Sequence, residues 1–392
     1  MAQEPFAQRK KEGKERTGRQ VSTIEIPLAR PDITEHEIQA VISVLKTPYL
    51  SLGPKLEEFE EKLASCAGVR YAVAVNSGTS ALHVIIRALG LTEGDEVITT
   101  PFSFVASSNC LLFERVRPVF VDIDHQTLNL DVRQIEQNIT KRTKAILAVD
   151  VFGHPAEWDE LERIARKHNF KLIEDSAEAI GAEYKGRNAG SFGDAALFAF
   201  YPNKQMTTGE GGAVLTNDEH IAKLCRSLRN QGRGEGNEWL QHERLGYNYR
   251  LSDINCALGI AQLERLADLL KKRERVAQMY HERLQNVESV RIPYAAAHVK
   301  VSWFVYVIRL ADRYTQADRD RIIERLRDRG IQCGKYFSPI HLQPFYRKMF
   351  GYKLGDFPVT ELVAARTVAL PFYNALTEEQ IDYIVSQLKA LL

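Results

Sequence analysis

Phe198-Ala199-Phe200-Tyr201-Pro202-Asn203-Lys204-Gln205-Met206-Thr207-Thr208-Gly209-Glu210-Gly211-Gly212 carries a single lysine out of an apolar run, Ala195 to Phe200. The Gly-rich turn then leads into a second apolar strand, Ala213 to Thr216. A lysine at the mouth of a sheet and partly desolvated has a lowered pKa and serves as a Schiff-base nucleophile. Alone it reads as a solvated loop lysine. Two segments upstream change that reading.

The first is Lys171-Leu172-Ile173-Glu174-Asp175, a short apolar strand ending in a carboxylate at the edge where open α/β sheets bind ligands. The second is the strand Tyr71 to Val75, which runs through Asn76-Ser77-Gly78-Thr79-Ser80 into an apolar helix, Ala81 to Leu89. Glycine admits close backbone approach, the hydroxyls cap, and the N–H groups of a helix start bind phosphate. A phosphate cradle, a strand-end aspartate and a lysine after a third strand are what pyridoxal 5'-phosphate requires. The phosphate is anchored, the ring nitrogen is held protonated, and the aldehyde is captured by an amine.

With these residues in view, the chain resembles the DegT/DnrJ/EryC1/StrS sugar aminotransferases, within the fold-type-I (aspartate aminotransferase-like) pyridoxal-phosphate enzymes. The likeness covers roughly residues 25 to 390 and rests on motifs in a fixed order. These are Gly53-Pro54 with Phe59-Glu60, Ser77 to Leu82, Thr100 to Phe104, Glu174-Asp175, Lys204 with Thr208 to Gly212, and Gly246 to Leu251. Each is weak alone, and their order is specific.

The resemblance implies a large α/β domain with a mostly parallel seven-stranded sheet, and a small C-terminal α/β domain. It implies transfer of an amino group, with L-glutamate as donor, to a nucleotide-linked keto-sugar. The alternatives are an aminotransferase of cyclitol or carbasugar ketones, and a cofactor-binding regulatory protein without turnover. The intact Lys204 and Asp175 speak against the last.

Composition bounds the reading without deciding it. At 392 residues the chain suggests two domains. Net charge is +1, so no global field recruits nucleic acid or an anionic membrane. The longest apolar runs, such as Val301 to Ile308, fall far short of the ~18 residues of a membrane span. Five scattered cysteines without CxxC spacing argue against a disulfide framework or a metal site, and for the reducing cytoplasm. Residues 1–24, with Arg9, Lys10, Lys11, Lys14, Arg16 and Arg19, read as a disordered basic tail without an apolar signal core.

Strand patterns fall at 71–75, 96–99, 118–123, 144–151, 171–174, 195–200 and 213–216. Helical patterns alternate with them, clearest at Lys55 to Ala67, Ala156 to His168 and Glu219 to Leu228. The alternation predicts a parallel sheet covered on both faces, a large domain over 25–255 and a smaller one over 256–392. One long helix from Ser252 to Leu284 should bridge them, followed by a strand over Val301 to Leu310 and a helix over Thr315 to Arg329. Dinucleotide and P-loop fingerprints are absent.

Residue roles follow from the resemblance. Lys204 binds the cofactor and relays the proton, and Asp175 pairs with the ring nitrogen. Gly78 and Thr79 hold the phosphate, while Phe104 stacks on the ring or packs in the core. Two positions depart from the commonest pattern. Glu178 stands where most members have His or Gln, as in the perosamine-synthase-like branch. A carboxylate beside the cofactor's phenolic oxygen should be partly protonated or hydrogen-bonded, since adjacent anions repel. Ala199 replaces a phosphate-binding Ser, leaving more to Gly78, Thr79 and the helix start. Asn248 matches a residue that reaches into the neighbouring subunit's phosphate site, which implies a homodimer with shared sites; otherwise it caps the following helix. Arg229, with the Gly232–Gly236 stretch, is expected near the nucleotide or on a surface loop. Tyr336 and His341 match a segment lining the sugar pocket. His83 and His154 read as packing or surface residues.

Overall fold

The structure, a computed structural model, describes residues 25–234 and 241–392. The expected basic tail over 1–24 and part of the Gly232–Gly236 stretch lie outside the described residues.

Seven apolar segments become β1 (Tyr71–Val75), β2 (Glu96–Thr99), β3 (Arg117–Phe120), β4 (Thr143–Val149), β5 (Lys171–Asp175), β6 (Ala195–Ala199) and β7 (Gly212–Thr216). They form one sheet in the order β1-β7-β6-β5-β4-β2-β3. Every strand runs the same way except β7, which is antiparallel to both β1 and β6. The strands carry runs of buried Val, Ile, Leu and Ala because both faces are covered. On one side, helix Gly78–Ala88 packs Val84 and Ile85 against the sheet, while Phe59 and Leu63 of helix Pro54–Ala67 enter a core on β1, β6 and β7. Helix Trp158–His168 buries Trp158, Leu161 and Ile164 beside β4 and β5.

This topology brings three strand ends together. Val75, Asp175 and Ala199 lie at the carboxyl ends of parallel strands, and Gly212 opens β7 at that same edge, paired to both Val75 and Ala199. A Cβ on Gly212 would come within 2.6 Å of the main chain of Ser77, so only glycine lets β7 pass so close to the helix start.

Two expectations are corrected. The long helix over Ser252 to Leu284 is two helices, Asp253–Glu264 and Leu266–Leu284, with Arg265 between them in a non-helical conformation. The break sets the Arg265 guanidinium against Asp32 at 3.0 Å and against Glu37 at 2.5 Å, anchoring the N-terminal segment. Helix Asp253–Glu264 sends Cys256 and Ile260 into the core of Phe59 and Leu63. The strand expected over Val301 to Leu310 is shorter, Tyr306–Leu310. Its first half leaves the sheet because Ser302 bonds Gly153 O and Ile180 O of the large sheet's loops.

Tyr306–Leu310 lies between Val290–Arg291 and Thr367–Leu370 in a three-stranded antiparallel sheet. Helices Leu266–Leu284, Gln316–Asp328 and Glu378–Lys389 cover it around a core that includes Tyr280, Tyr306, Leu326 and Ile384. Among the described residues, no helix is long and apolar enough to cross a membrane, and no cluster of His, Cys, Asp or Glu could hold a metal ion.

Candidate active site

A cavity of about 800 Å³ opens at the carboxyl edge of the sheet. Seven of the residues singled out in the sequence line it: Gly78, Thr79, Phe104, Asp175, Glu178, Lys204 and Tyr336. Helix Gly78–Ala88 starts at the cavity with Ser77 as its cap, the Ser77 hydroxyl accepting from Ser80 N at 3.0 Å. Its first turn thus presents N–H groups and the positive end of the helix dipole to the cavity. Ala199 sits under this turn. A Cβ on Gly78 would lie 2.7 Å from the Ala199 methyl, so the small pair is matched in volume.

Asp175 ends β5 and is buried. Its Oδ2 accepts from the Ser107 hydroxyl at 2.7 Å, and Ser103 in turn lies 2.8 Å from Ser107. Oδ1 accepts from Ala177 N at 3.2 Å. Burial raises the Asp175 carboxyl above the usual range, while Ser107, the Ala177 amide and the Lys204 charge pull the other way.

Lys204 projects into the cavity from the loop after β6. Burial lowers its amine from the ordinary lysine value, opposed by Glu178 and Asp175. Nζ lies 3.6 Å from Glu178 Oε1 and 4.0 Å from the centre of the Phe304 ring. Glu178 is buried, and burial raises its carboxyl despite Lys204 and a 2.9 Å bond from Phe152 N. Desolvation therefore pushes both members of the pair toward their neutral forms. Phe104 stands 62% exposed at the cavity, so it is not a core residue.

Three expected residues do not line this cavity. Arg229 is buried, and its guanidinium is taken up by Glu60 and Ala74 O, so it ties helix Glu219–Arg229 to β1 and faces no ligand in its own chain. His341 is wholly buried. Its Nε2 meets Glu361 at 2.9 Å and its ring packs on Phe357, so the imidazole turns inward from the pocket. Asn248 is exposed on the surface, linked through its main chain to Asn230. The cap of the following helix is Ser252, which removes the capping reading of Asn248. Tyr247 and Tyr249 flank Asn248 and stack on each other. Tyr247 bonds Glu114, Tyr249 meets His83, and His83 Nε2 lies 2.8 Å from Glu114, so His83 is a packed, bonded residue as expected.

Several contributors escaped sequence reasoning: Ser107 beneath Asp175, Gln205, Arg273 and Phe304. The Gln205 amide donates to Glu178 O and to Ser302 O and Oγ. The i,i+4 spacing of Ser103 and Ser107 was a faint local signal. Arg273 and Phe304 had none, since their partners are remote in sequence.

A desolvated amine, a buried carboxylate on the neighbouring strand and a helix N-terminus in one cavity suit pyridoxal phosphate. This combination of fold and donors defines a pyridoxal-phosphate-dependent aminotransferase. The model of the DegT/DnrJ/EryC1/StrS aminotransferase family matches residues 31–389, and the chain belongs to that family. GDP-perosamine synthase of Caulobacter vibrioides is 37% identical over 94% of this chain and 98% of its own. Among solved structures, Helicobacter pylori PseC, an aminotransferase involved in pseudoaminic acid biosynthesis, superposes with a TM-score of 0.90. It is 30% identical, covering 94% of this chain and 99% of PseC. The putative sugar aminotransferase Spr1654 of Streptococcus pneumoniae in its PMP form also reaches 0.90, at 28% identity over 94% of this chain and 99% of its own.

Proposed function

We propose that this aminotransferase acts on the ketone of a nucleotide-linked sugar, with L-glutamate as the amino donor. The carrying observation is the Lys204–Glu178 pair at 3.6 Å, inside a cavity whose wall continues to Lys335, Ser338, Gln343 and Phe345. That extension offers polar and aromatic surface beyond the cofactor's needs. The named activities of the Caulobacter and Helicobacter relatives support a sugar substrate.

Pyridoxal phosphate, when bound, supplies an aldehyde that takes up the amine and a ring that withdraws electrons. Asp175 holds a proton on the ring nitrogen, and Ser107 fixes the carboxylate that does so. Lys204, its amine pushed toward the neutral form by burial, would anchor the cofactor and serve as the base that moves the proton at the reacting carbon. Glu178 sits within reach of that amine and keeps a second proton close. Gly78, Thr79 and the helix start hold the phosphate, Phe104 offers its ring for stacking, and Tyr336 borders the substrate.

Asn248, exposed and clear of its own cavity, reaches the phosphate site of a second copy in a homodimer with shared sites. The chain divides into a large unit over 25–255 and a small one over 256–392. Five free cysteines, four of them buried, suit a protein of the cytoplasm. The test is an assay of the purified protein against a panel of keto-sugar nucleotides with glutamate, following formation of 2-oxoglutarate. No turnover with any nucleotide sugar, alongside turnover of a free cyclitol ketone, would overturn the substrate class.

A further inference from the structure

Arg273, on helix Leu266–Leu284, is buried, and among the described residues no carboxylate forms an ion pair with it. All of its hydrogen bonds go to main-chain carbonyls. Nη2 donates to Lys204 O at 2.7 Å and to Asn203 O at 3.3 Å, and Nη1 donates to Phe304 O at 3.0 Å and to Trp303 O at 3.4 Å. Its Nε has no partner. A planar guanidinium is suited to such a bridge, because its donors leave in fixed directions. The two segments it joins carry the amine and the ring that faces the amine, Lys204 Nζ and Phe304.

A buried cation without a counter-ion is costly, and a fold that only needed these carbonyls satisfied could use neutral donors. Gln205, the next residue along, does that task a short distance away, bonding Glu178 O and Ser302. The Phe372 ring lies 5.5 Å from the guanidinium, and the positive charge also bears on Lys204, a consequence that the hydrogen bonds alone do not explain.

We propose that Arg273 is a positioning residue for Lys204, clamping the lysine's main chain to the segment that bears Phe304 and setting an unmatched positive charge behind the amine. The proposal rests on the reading of Lys204 as the reactive lysine. The charged groups bearing on Lys204 are Glu178 and Asp175, which favour its protonated form, and Arg273, which opposes it. Tyr336 borders Glu178, and Asp32 acts on Arg273. Removing the Arg273 charge should thus make the lysine nitrogen hold its proton to higher pH.

The experiment compares wild-type holoenzyme with Arg273→Met and Arg273→Lys. Borohydride reduction and peptide mapping first locate the lysine that carries the cofactor. A label elsewhere than Lys204 in the wild type sinks the underlying reading rather than this one. The visible absorbance of the cofactor link is then titrated with pH, and kcat and KM are measured separately. In Arg273→Met the label stays on Lys204, the titration midpoint moves up by about one unit, and kcat falls roughly tenfold or more, with KM for the donor changing less. In Arg273→Lys the charge remains but one ammonium cannot span two segments, so the midpoint stays near wild type while kcat still falls. Should the methionine variant fail to fold, kcat of the lysine variant decides alone. A lowered melting temperature with an unmoved midpoint in Arg273→Met, or wild-type kcat in Arg273→Lys, overturns the proposal.

Discussion

Lys204 Nζ and Glu178 Oε1 stand 3.6 Å apart, the carboxyl buried and the amine largely shielded at the cavity wall. In water the two would be a weak ion pair. Here burial pushes each toward its uncharged form, and an uncharged amine is the nucleophilic one.

Replacement of Lys204 by Ala should abolish the borohydride-reducible link to the cofactor and reduce turnover by several orders of magnitude. The check is mass spectrometry of the reduced protein. A retained covalent link in the alanine variant would assign the role to another lysine.

Asp175→Asn preserves shape and the bond from Ser107 but removes the negative charge. Both half-reactions should slow by roughly two to four orders of magnitude, each factor of ten corresponding to ~1.4 kcal/mol. Ser107→Ala should cost far less, since it loosens the carboxylate without removing it. Single-turnover rates with glutamate measure both, and near-wild-type rates for Asp175→Asn would refute the pairing.

Glu37 gives a pH prediction away from the site. Burial alone would raise its carboxyl, but bonds from Thr34, Arg265 and Gln262 outweigh it and bring it down to about 2. A depressed folded value stabilises the fold above the unfolded value of 4.5, and that stability is lost as pH falls toward about 2. Glu37→Gln should therefore be less stable at neutral pH, by about 3 kcal/mol at most, with the difference shrinking between pH 4.5 and 2. Denaturant melts across that range test it, and a gap that does not depend on pH would contradict it.

Mixing inactive Lys204→Ala subunits with Asn248→Ala subunits should restore about a quarter of wild-type activity, from half mixed dimers with one whole site each. Proven subunit exchange without recovery would remove Asn248 from the partner's site.

His341→Gln should lower the melting temperature while leaving substrate KM within about twofold, because a buried imidazole bonded to Glu361 contributes to packing, on the order of 1–3 kcal/mol. A large rise in KM with unchanged stability would return His341 to the pocket.

The sheet was legible in the sequence because buried parallel strands read as apolar runs, and each of the seven strands starts within two residues of its expected position. Lys204, Asp175, Glu178 and the helix start at Gly78 were legible because motif order fixes them at strand ends. What failed depended on partners distant along the chain. The break at Arg265 needs Asp32 and Glu37, more than 200 residues earlier, and nothing in the local helical pattern announces it. Arg229 and His341 looked like free polar groups beside a pocket. Glu60 and Glu361 draw them inward, and only the fold brings those carboxylates near.

β1 ends the sheet, hydrogen-bonded to β7 alone, and helix Gly78–Ala88, proposed to hold the phosphate, grows from that outermost strand. Asp175, by contrast, ends an interior strand, and Lys204 follows another. A ligand gripped by all three elements would staple the margin of the sheet to its middle. Peripheral elements open at lower free energy than central ones, and a ligand raises the opening energy of whatever it touches. Backbone amides of Ala72 to Val75 and of helix Gly78–Ala88 should then exchange with deuterium far more slowly in the loaded enzyme, while those of β4 barely change. Cofactor shortage would be felt first as unravelling of this margin, where a protease could begin.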